Sequence, residues 1–243
     1  MADTNSSAAT GAWTGRIAVL AIIAAVLVLL AGPLMKFGVV PWQAGLLMFV
    51  VAAAIAGIAG IYCLVALLRR RGGGLTIFGA AAGLAALLIP VAIIADGSSA
   101  PAIHDITTDT ANPPQFVAVT PVLRGAGSNP VTYDPADAPL QAKAFAAVRP
   151  LVLVDAPAAA FDKAMAAVKQ QGWDIVAADA ATGRIEATDT VPWWGFKDDI
   201  VVRLTPEGSG TKVDVRSKSR VGKGDLGVNA KRITDYLAVV AKG

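Results

Sequence analysis

The chain has 243 residues, 55% of them hydrophobic and only 16% charged, with a mean hydropathy of +0.57. That is too apolar for an ordinary soluble protein and makes a membrane protein the default. One cysteine and one histidine exclude an intramolecular disulfide and a Cys/His-rich metal cluster.

A pI of about 9.1 suggests a nucleic-acid partner until the charge is divided along the chain. Residues 1–95 carry Arg16, Lys36, Arg69, Arg70 and Arg71 against Asp3, a balance of +4; the whole chain is +3, which leaves 96–243 at −1. The basic excess therefore belongs to membrane topology. No base-reading motif occurs, so nucleic acid is not an expected partner.

Residues 1–15 are small and polar and read as a mobile cytoplasmic tail. A three-helix membrane anchor is expected over 16–95. Ile17 to Met35 holds no formal charge and can cross a hydrocarbon core of ~30 Å at ~1.5 Å per residue. A cleaved signal peptide is the alternative, but its apolar region is usually shorter, and Leu30-Ala31-Gly32-Pro33 imitates a cleavage site poorly. Spans over 42–68 and 75–95 follow, with Trp42 where an interfacial aromatic belongs and Pro90 near the far end of the third. Cys63 reads as a small core hydrophobe.

Arg69-Arg70-Arg71-Gly72-Gly73-Gly74 separates the second and third spans and is too short for anything but a helical hairpin. Ala53-x-x-x-Gly57 and Ala56-x-x-x-Gly60 in one helix and Gly79-x-x-x-Gly83 in the other are small-residue pairs one turn apart, a pattern that permits close helix approach. No ionisable side chain lies within any span, which argues against a proton relay or transport path. The positive-inside rule makes the arginine loop and the N-terminus cytoplasmic and puts everything after Asp96 across the membrane.

Residues 96–150 contain eight prolines and no periodic run, so an extended arm is expected, either a flexible spacer or a strap along the following domain. Within it, His104 beside Asp105 invites a catalytic reading. Neighbours in an extended chain point to opposite faces, however, and no Gly-x-Ser-x-Gly motif occurs. A structural or hydrogen-bonding histidine is expected.

The domain proper runs over 151–243. Leu151–Asp155 is a strand, and Pro157 opens a helix with Phe161, Met165 and Val168 on one face and Gly172 as its terminator. Trp173–Ala178, Arg184–Thr190, Asp199–Thr205 and Lys212–Arg220 read as strands. A helix over about Asp225–Ala241 has Asp225 as N-cap and Leu226, Ala230, Ile233, Leu237 and Val240 as its buried stripe. The order β-α-β-β-β-β-α predicts an α+β fold: an antiparallel sheet with both helices on one face, resembling helix-grip modules. Such likeness says nothing of function.

Two stretches stand out. Trp193, Trp194 and Phe196 surround a glycine between strands and read as a binding loop, a dip into the lipid interface, or a corner packed over the end of the core. Asp198 and Asp199 diverge on a strand and cannot form an acid–base pair. The second stretch places Arg216, Lys218 and Arg220 on one strand face, followed by Lys223. Gly222-x-Gly224-x-x-Gly227 spells a dinucleotide fingerprint but lacks the parallel βαβ unit and later acidic strand. What survives is a candidate phosphate or lipid-headgroup site at a helix N-terminus beside a basic row, against the alternative of a solvated basic strand.

Ile103-His104-Asp105, Thr107-Thr108-Asp109 and Asn112-Pro113-Pro114, then Trp194 to Asp199, then Arg216 to Arg220 through Asp225-Leu226-Gly227 and Asn229-Ala230 to Arg232-Ile233 resemble the bacterial domain-of-unknown-function 1499 family over roughly residues 100–240. The resemblance implies that the proline-rich arm belongs to the ordered domain; it supplies no activity.

The expected protein is a non-enzymatic inner-membrane protein with a periplasmic binding or interaction module, an accessory subunit of a larger membrane complex. Membrane lipids and other membrane proteins are its expected partners; no cofactor, metal or catalytic residue is assigned. The alternative is periplasmic binding of a lipid or small anionic ligand by the aromatic loop and basic strand. An enzyme built on His104 and Asp105 is a third reading.

Overall fold

The computed structural model describes residues 2–97 and 99–243, with side chains described from Gly11 onward. It divides into two compact units. The first holds the chain up to Asp96 together with Trp193–Gly195, and the second holds Gly97–Pro192 and Phe196–Gly243.

Three helices make the first unit: α1 (Ala2–Lys36), α2 (Trp42–Leu68) and α3 (Gly74–Gly97). Helix α1 begins at Ala2, inside the stretch expected as a tail. Gly11–Lys36, α2 and α3 are each long and apolar enough to cross a membrane. The prolines at 33 and 90 lie inside α1 and α3, where each removes one i→i−4 backbone hydrogen bond.

Small residues set the helix spacing. A Cβ built on Gly60 would stand 2.9 Å from the Leu84 nitrogen, one on Gly83 would collide with the Ala56 carbonyl oxygen, and one on Gly57 would lie 2.7 Å from Leu87 Cδ2. The expected α2–α3 seam is thus formed by Gly57, Gly60 and Gly83. Gly79 departs from it: its Cβ would meet Ala18 Cα of α1 at 2.7 Å, so it faces α1 instead. Cys63 is fully buried in a small cluster with Ala18 and Ala80, as a small hydrophobe should be.

The second unit is an α+β domain. Its strands are β1 (Asp105–Thr107), β2 (Leu151–Leu153), β3 (Asp174–Asp179), β4 (Arg184–Thr190), β5 (Lys197–Glu207) and β6 (Gly210–Ser219), all paired antiparallel in the order β1-β6-β5-β4-β3. Strand β2 also pairs with β6, so one edge of β6 is shared: Leu151 and Leu153 face Val213 and Thr211, while Asp105 and Thr107 face Lys218 and Arg216. The sheet therefore has six strands rather than five, the addition being β1 within the arm.

Helices α6 (Pro157–Gln170) and α7 (Val228–Val240) pack on one face over Ile185, Ile200, Val202, Leu204, Val213 and Val215. Gly172, at φ +73°, ends α6 in a left-handed conformation that a side chain would resist. Tyr236 is the largest fully buried side chain of α7; it stacks on Trp173 at 5.0 Å and donates to the Ala164 carbonyl. Leu226, expected in the buried stripe, is 51% exposed with φ +56°, because α7 starts at Val228 rather than Asp225.

Candidate functional site

Strand alternation fixes what the other face of the sheet carries. Opposite the helices stand Asp105 of β1, Asp214, Arg216 and Lys218 of β6, Asp199 and Arg203 of β5, and Glu186 of β4. Apolar side chains line one face and charged ones the other, so the charged face must meet water or partners. It meets the arm. Residues 108–133 lie across it, with the short helix α4 (Pro121–Arg124) among them, and the face is closed.

Asp105 is the hub. Arg216, fully buried, donates through Nε and Nη2 to both oxygens of Asp105 at 2.8 Å each, in a bidentate pair. Its remaining donors reach the Pro114 and Val131 carbonyls at 3.2 and 2.8 Å, and its guanidinium lies 5.1 Å from the Phe116 ring centre and 5.5 Å from that of Tyr133. Lys218 donates to Asp105 Oδ2 at 2.7 Å and to the Thr132 carbonyl at 2.8 Å. Burial lowers the pKa of Lys218, with the Asp105 carboxylate opposing it.

Neighbouring carboxylates are held as firmly. Asp199 accepts a bidentate pair from Arg220 at 2.9 and 2.8 Å and the Thr188 hydroxyl at 2.8 Å, and it lies 3.4 Å from Nη1 of Arg124 in α4. Glu186, with no exposure, accepts three successive amides from Val117, Ala118 and Val119 at 2.9, 2.9 and 2.8 Å. Asp214 binds Arg203 at 2.8 Å and accepts the Thr108 hydroxyl. Charge on the sheet is thus matched by backbone and charge on the arm, strand by strand.

The basic row read from the sequence is therefore not an open surface. Arg216, Lys218 and Arg220 share one face as alternation requires, but all three are spent on Asp105, Asp199 and arm carbonyls. Neither a solvated strand nor a free anion site fits that geometry. Lys223 alone is exposed. The N-terminus of α7 is closed to a phosphate by the chain itself: the Asp225 carboxylate accepts the Gly227 and Asn229 amides at 2.9 and 2.8 Å. Burial raises the pKa of Asp225, against the effect of those bonds.

His104 does not pair with Asp105, whose two oxygens are held by Arg216 and Lys218. The His104 carbonyl accepts the Ser219 amide at 3.0 Å and Asn229 Nδ2 at 3.1 Å, bonds made by its backbone; its Nε2 is buried without a protein partner, as is the Tyr133 hydroxyl. Burial pushes the Tyr133 phenol up to about 12 and raises the pKa of Asp137, which stands near His104. Asp198 and Asp199 diverge as expected: Asp198 turns to Arg232 of α7 at 2.6 Å, on the helix side.

The aromatic loop is packed, and not over the α+β core. Trp193 and Trp194 belong to the first unit, where Phe49 of α2 meets their rings edge-on at 5.9 and 5.0 Å and Gly32 of α1 leaves room for Trp193. Phe196 is half-buried.

The sequence reading missed the charge layer, although a signal for it exists. Asp199, Asp214 and Glu186 stand at the same strand parity as the basic row, and opposite charges on one face neutralise each other rather than recruit a ligand.

Three apolar helices of membrane-spanning length, followed by an antiparallel sheet with helices on one face and a charged, strapped second face, define an α+β protein with a membrane-type helical unit. The family described as "Protein of unknown function (DUF1499)" matches residues 105–240, more than half of the chain, and the chain belongs to that family. The match begins at Asp105, the hub of the buried network, and includes the arm. No curated protein matches the chain.

Proposed function

We propose that the protein is an integral inner-membrane protein of bacteria whose three helices anchor residues 97–243 on the periplasmic side as a non-enzymatic interaction module, and that it serves as an accessory subunit of a larger membrane assembly. The observation that carries this reading is the distribution of charge in the first unit. Spans 17–35, 42–68 and 75–95 carry none, while Arg16 and Arg69–Arg71 gather at one end, the end retained in the cytoplasm under the positive-inside rule. The charge layer is internally paired and closed beneath the arm, which supports a structural rather than a catalytic use of its carboxylates.

Two experiments test it. A reporter fused after Gly243 should be active only in the periplasm, and cytoplasmic activity would reverse the orientation. Purification in a mild detergent should enrich a defined membrane partner; a chain that always runs alone refutes the subunit role. Periplasmic ligand binding at Arg216, Lys218 and Arg220 is not favoured, because those groups are internally paired.

A further inference from the structure

Arg16 stands at the edge of the uncharged run of α1 and is exposed. The sequence has no acidic residue between Asp3 and Asp96. The Arg16 guanidinium lies 5.4 Å from the centre of the Trp13 ring, which is 59% exposed. An exposed arginine with an exposed tryptophan at the end of an apolar helix is a headgroup-level arrangement.

One turn further in, a groove of about 160 Å³ opens between α1 and α2, walled by Leu20, Ile23 and Leu27 on one side and Met48, Val51 and Ile55 on the other. Its floor is Ala24 and Ala52, both nearly fully buried, and the small side chains there leave the hollow. Positions 13, 16, 20, 23 and 27 follow helical i+3/i+4 spacing, so Trp13 and Arg16 stand on the stripe that forms the α1 wall. The α2 wall continues by the same spacing through Ile58 to Tyr62, an exposed amphipathic aromatic. Because α1 and α2 run antiparallel, with Ala18 clustered with Cys63 at one end and Met35 against Gly45 at the other, Tyr62 lies toward the Arg16 end.

An apolar hollow left empty forfeits dispersion contacts, and a hydrocarbon chain restores them. A guanidinium at its mouth selects phosphate, which it binds through paired charge-assisted hydrogen bonds. We propose that α1 and α2 bind one anionic glycerophospholipid, its phosphate on Arg16 between Trp13 and Tyr62 and one acyl chain in the groove over Ala24 and Ala52. This rests on the reading of the helices as membrane spans.

Native mass spectrometry of the full chain in mild detergent, with dioleoyl phosphatidylglycerol and dioleoyl phosphatidylcholine added at equal concentration, tests the site. The wild type should retain one phosphatidylglycerol with about tenfold preference, corresponding to ~1.4 kcal/mol. Arg16→Gln should abolish the preference, Ala52→Leu should lose the retained lipid of either kind, and Arg69→Gln/Arg70→Gln/Arg71→Gln should change neither. An Arg16→Gln protein that keeps the preference, or a triple variant that loses it, overturns the site; Arg16→Gln changes an exposed residue and leaves the helix packing untouched. Alkaline carbonate extraction separates the two levels: release of the wild-type chain sinks the spanning reading itself, whereas retention with an unaltered Arg16→Gln profile sinks the lipid site alone.

Discussion

Replacing Asp105 by alanine tests whether the charge layer is what fastens the arm to the sheet. The substitution strands two buried cations at once, since Arg216 and Lys218 both lose their shared carboxylate. Arginine cannot shed its proton, so the Arg216 contribution is that of an uncompensated buried charge, about 3–5 kcal/mol. Lys218 has a way out: its pKa is already lowered by burial, and without Asp105 it can become neutral, which limits its share. A total loss of at least ~3 kcal/mol is a large fraction of the ~5–15 kcal/mol that holds a typical domain folded. The predicted failure is local first. Hydrogen exchange on the full chain in detergent should show the Val131 and Thr132 segment and β1 losing protection before α6 does. The triple replacement Asp105→Leu, Arg216→Met, Lys218→Met removes charge and counter-charge together, and should recover most of the loss or exceed wild type, as removal of whole buried ion pairs often does. An Asp105→Ala chain within about 1 kcal/mol of wild type in a urea titration, with arm amides still protected, would refute the fastening role.

Other substitutions probe other parts. Gly83→Ala drives a methyl group into the Ala56 carbonyl and should cost roughly 1–3 kcal/mol and weaken an α2–α3 disulfide cross-link placed near Gly60, while Gly79→Ala should disturb α1 instead. Gln141 of the short helix α5 (Ala138–Ala144) accepts the Thr107 amide at 3.0 Å and donates to the Thr107 carbonyl at 2.7 Å, covering the open edge of β1. Gln141→Ala should cost about 1–3 kcal/mol for each stranded main-chain group and speed exchange at Thr107. The lowered pKa of Lys218 sets a pH dependence: between its native value and the ~10.4 of an unfolded lysine, the unfolded chain binds more protons, so stability from this group rises with pH and is lost as pH falls. Tyr133 and Tyr236, whose pKa values burial raises, act in the opposite sense above pH ~10, so the effect should be read as wild type minus Lys218→Met below that point.

What the sequence made legible was what local periodicity controls. The spans, the strands β3 to β6, the helix after Pro157 and the seam glycines Gly57, Gly60 and Gly83 all follow from spacing within a few turns. Strand β1 did not, since Asp105–Thr107 is three residues long and is a strand only because β6 and Gln141 pair with its two edges. The arm has no periodicity of its own; its order comes from carbonyls at Pro114, Val131 and Thr132 that meet cations about a hundred residues later. Gly79 and Leu226 went astray for a related reason. Which helix crosses a glycine, and where a helix starts after an Asp-Leu-Gly turn, depend on neighbours distant in the chain. Alternation placed Arg216, Lys218 and Arg220 on one face correctly but could not tell a face exposed to solvent from one covered by a strap.

The shared edge of β6 has a consequence for biogenesis. The first strand of the domain pairs with the last, and the Lys218–Asp105 contact closes a separation of 113 residues. During synthesis the arm emerges first and finds nothing to bind until β6 has followed it, so its eight prolines and its acidic hub wait without a template. Contacts of such long range slow folding and lengthen exposure to proteases and to other chains. A stop codon before Lys212 would therefore remove the carboxy-terminal strand and also leave the start of the domain without a partner, and quality-control proteolysis should begin in the arm.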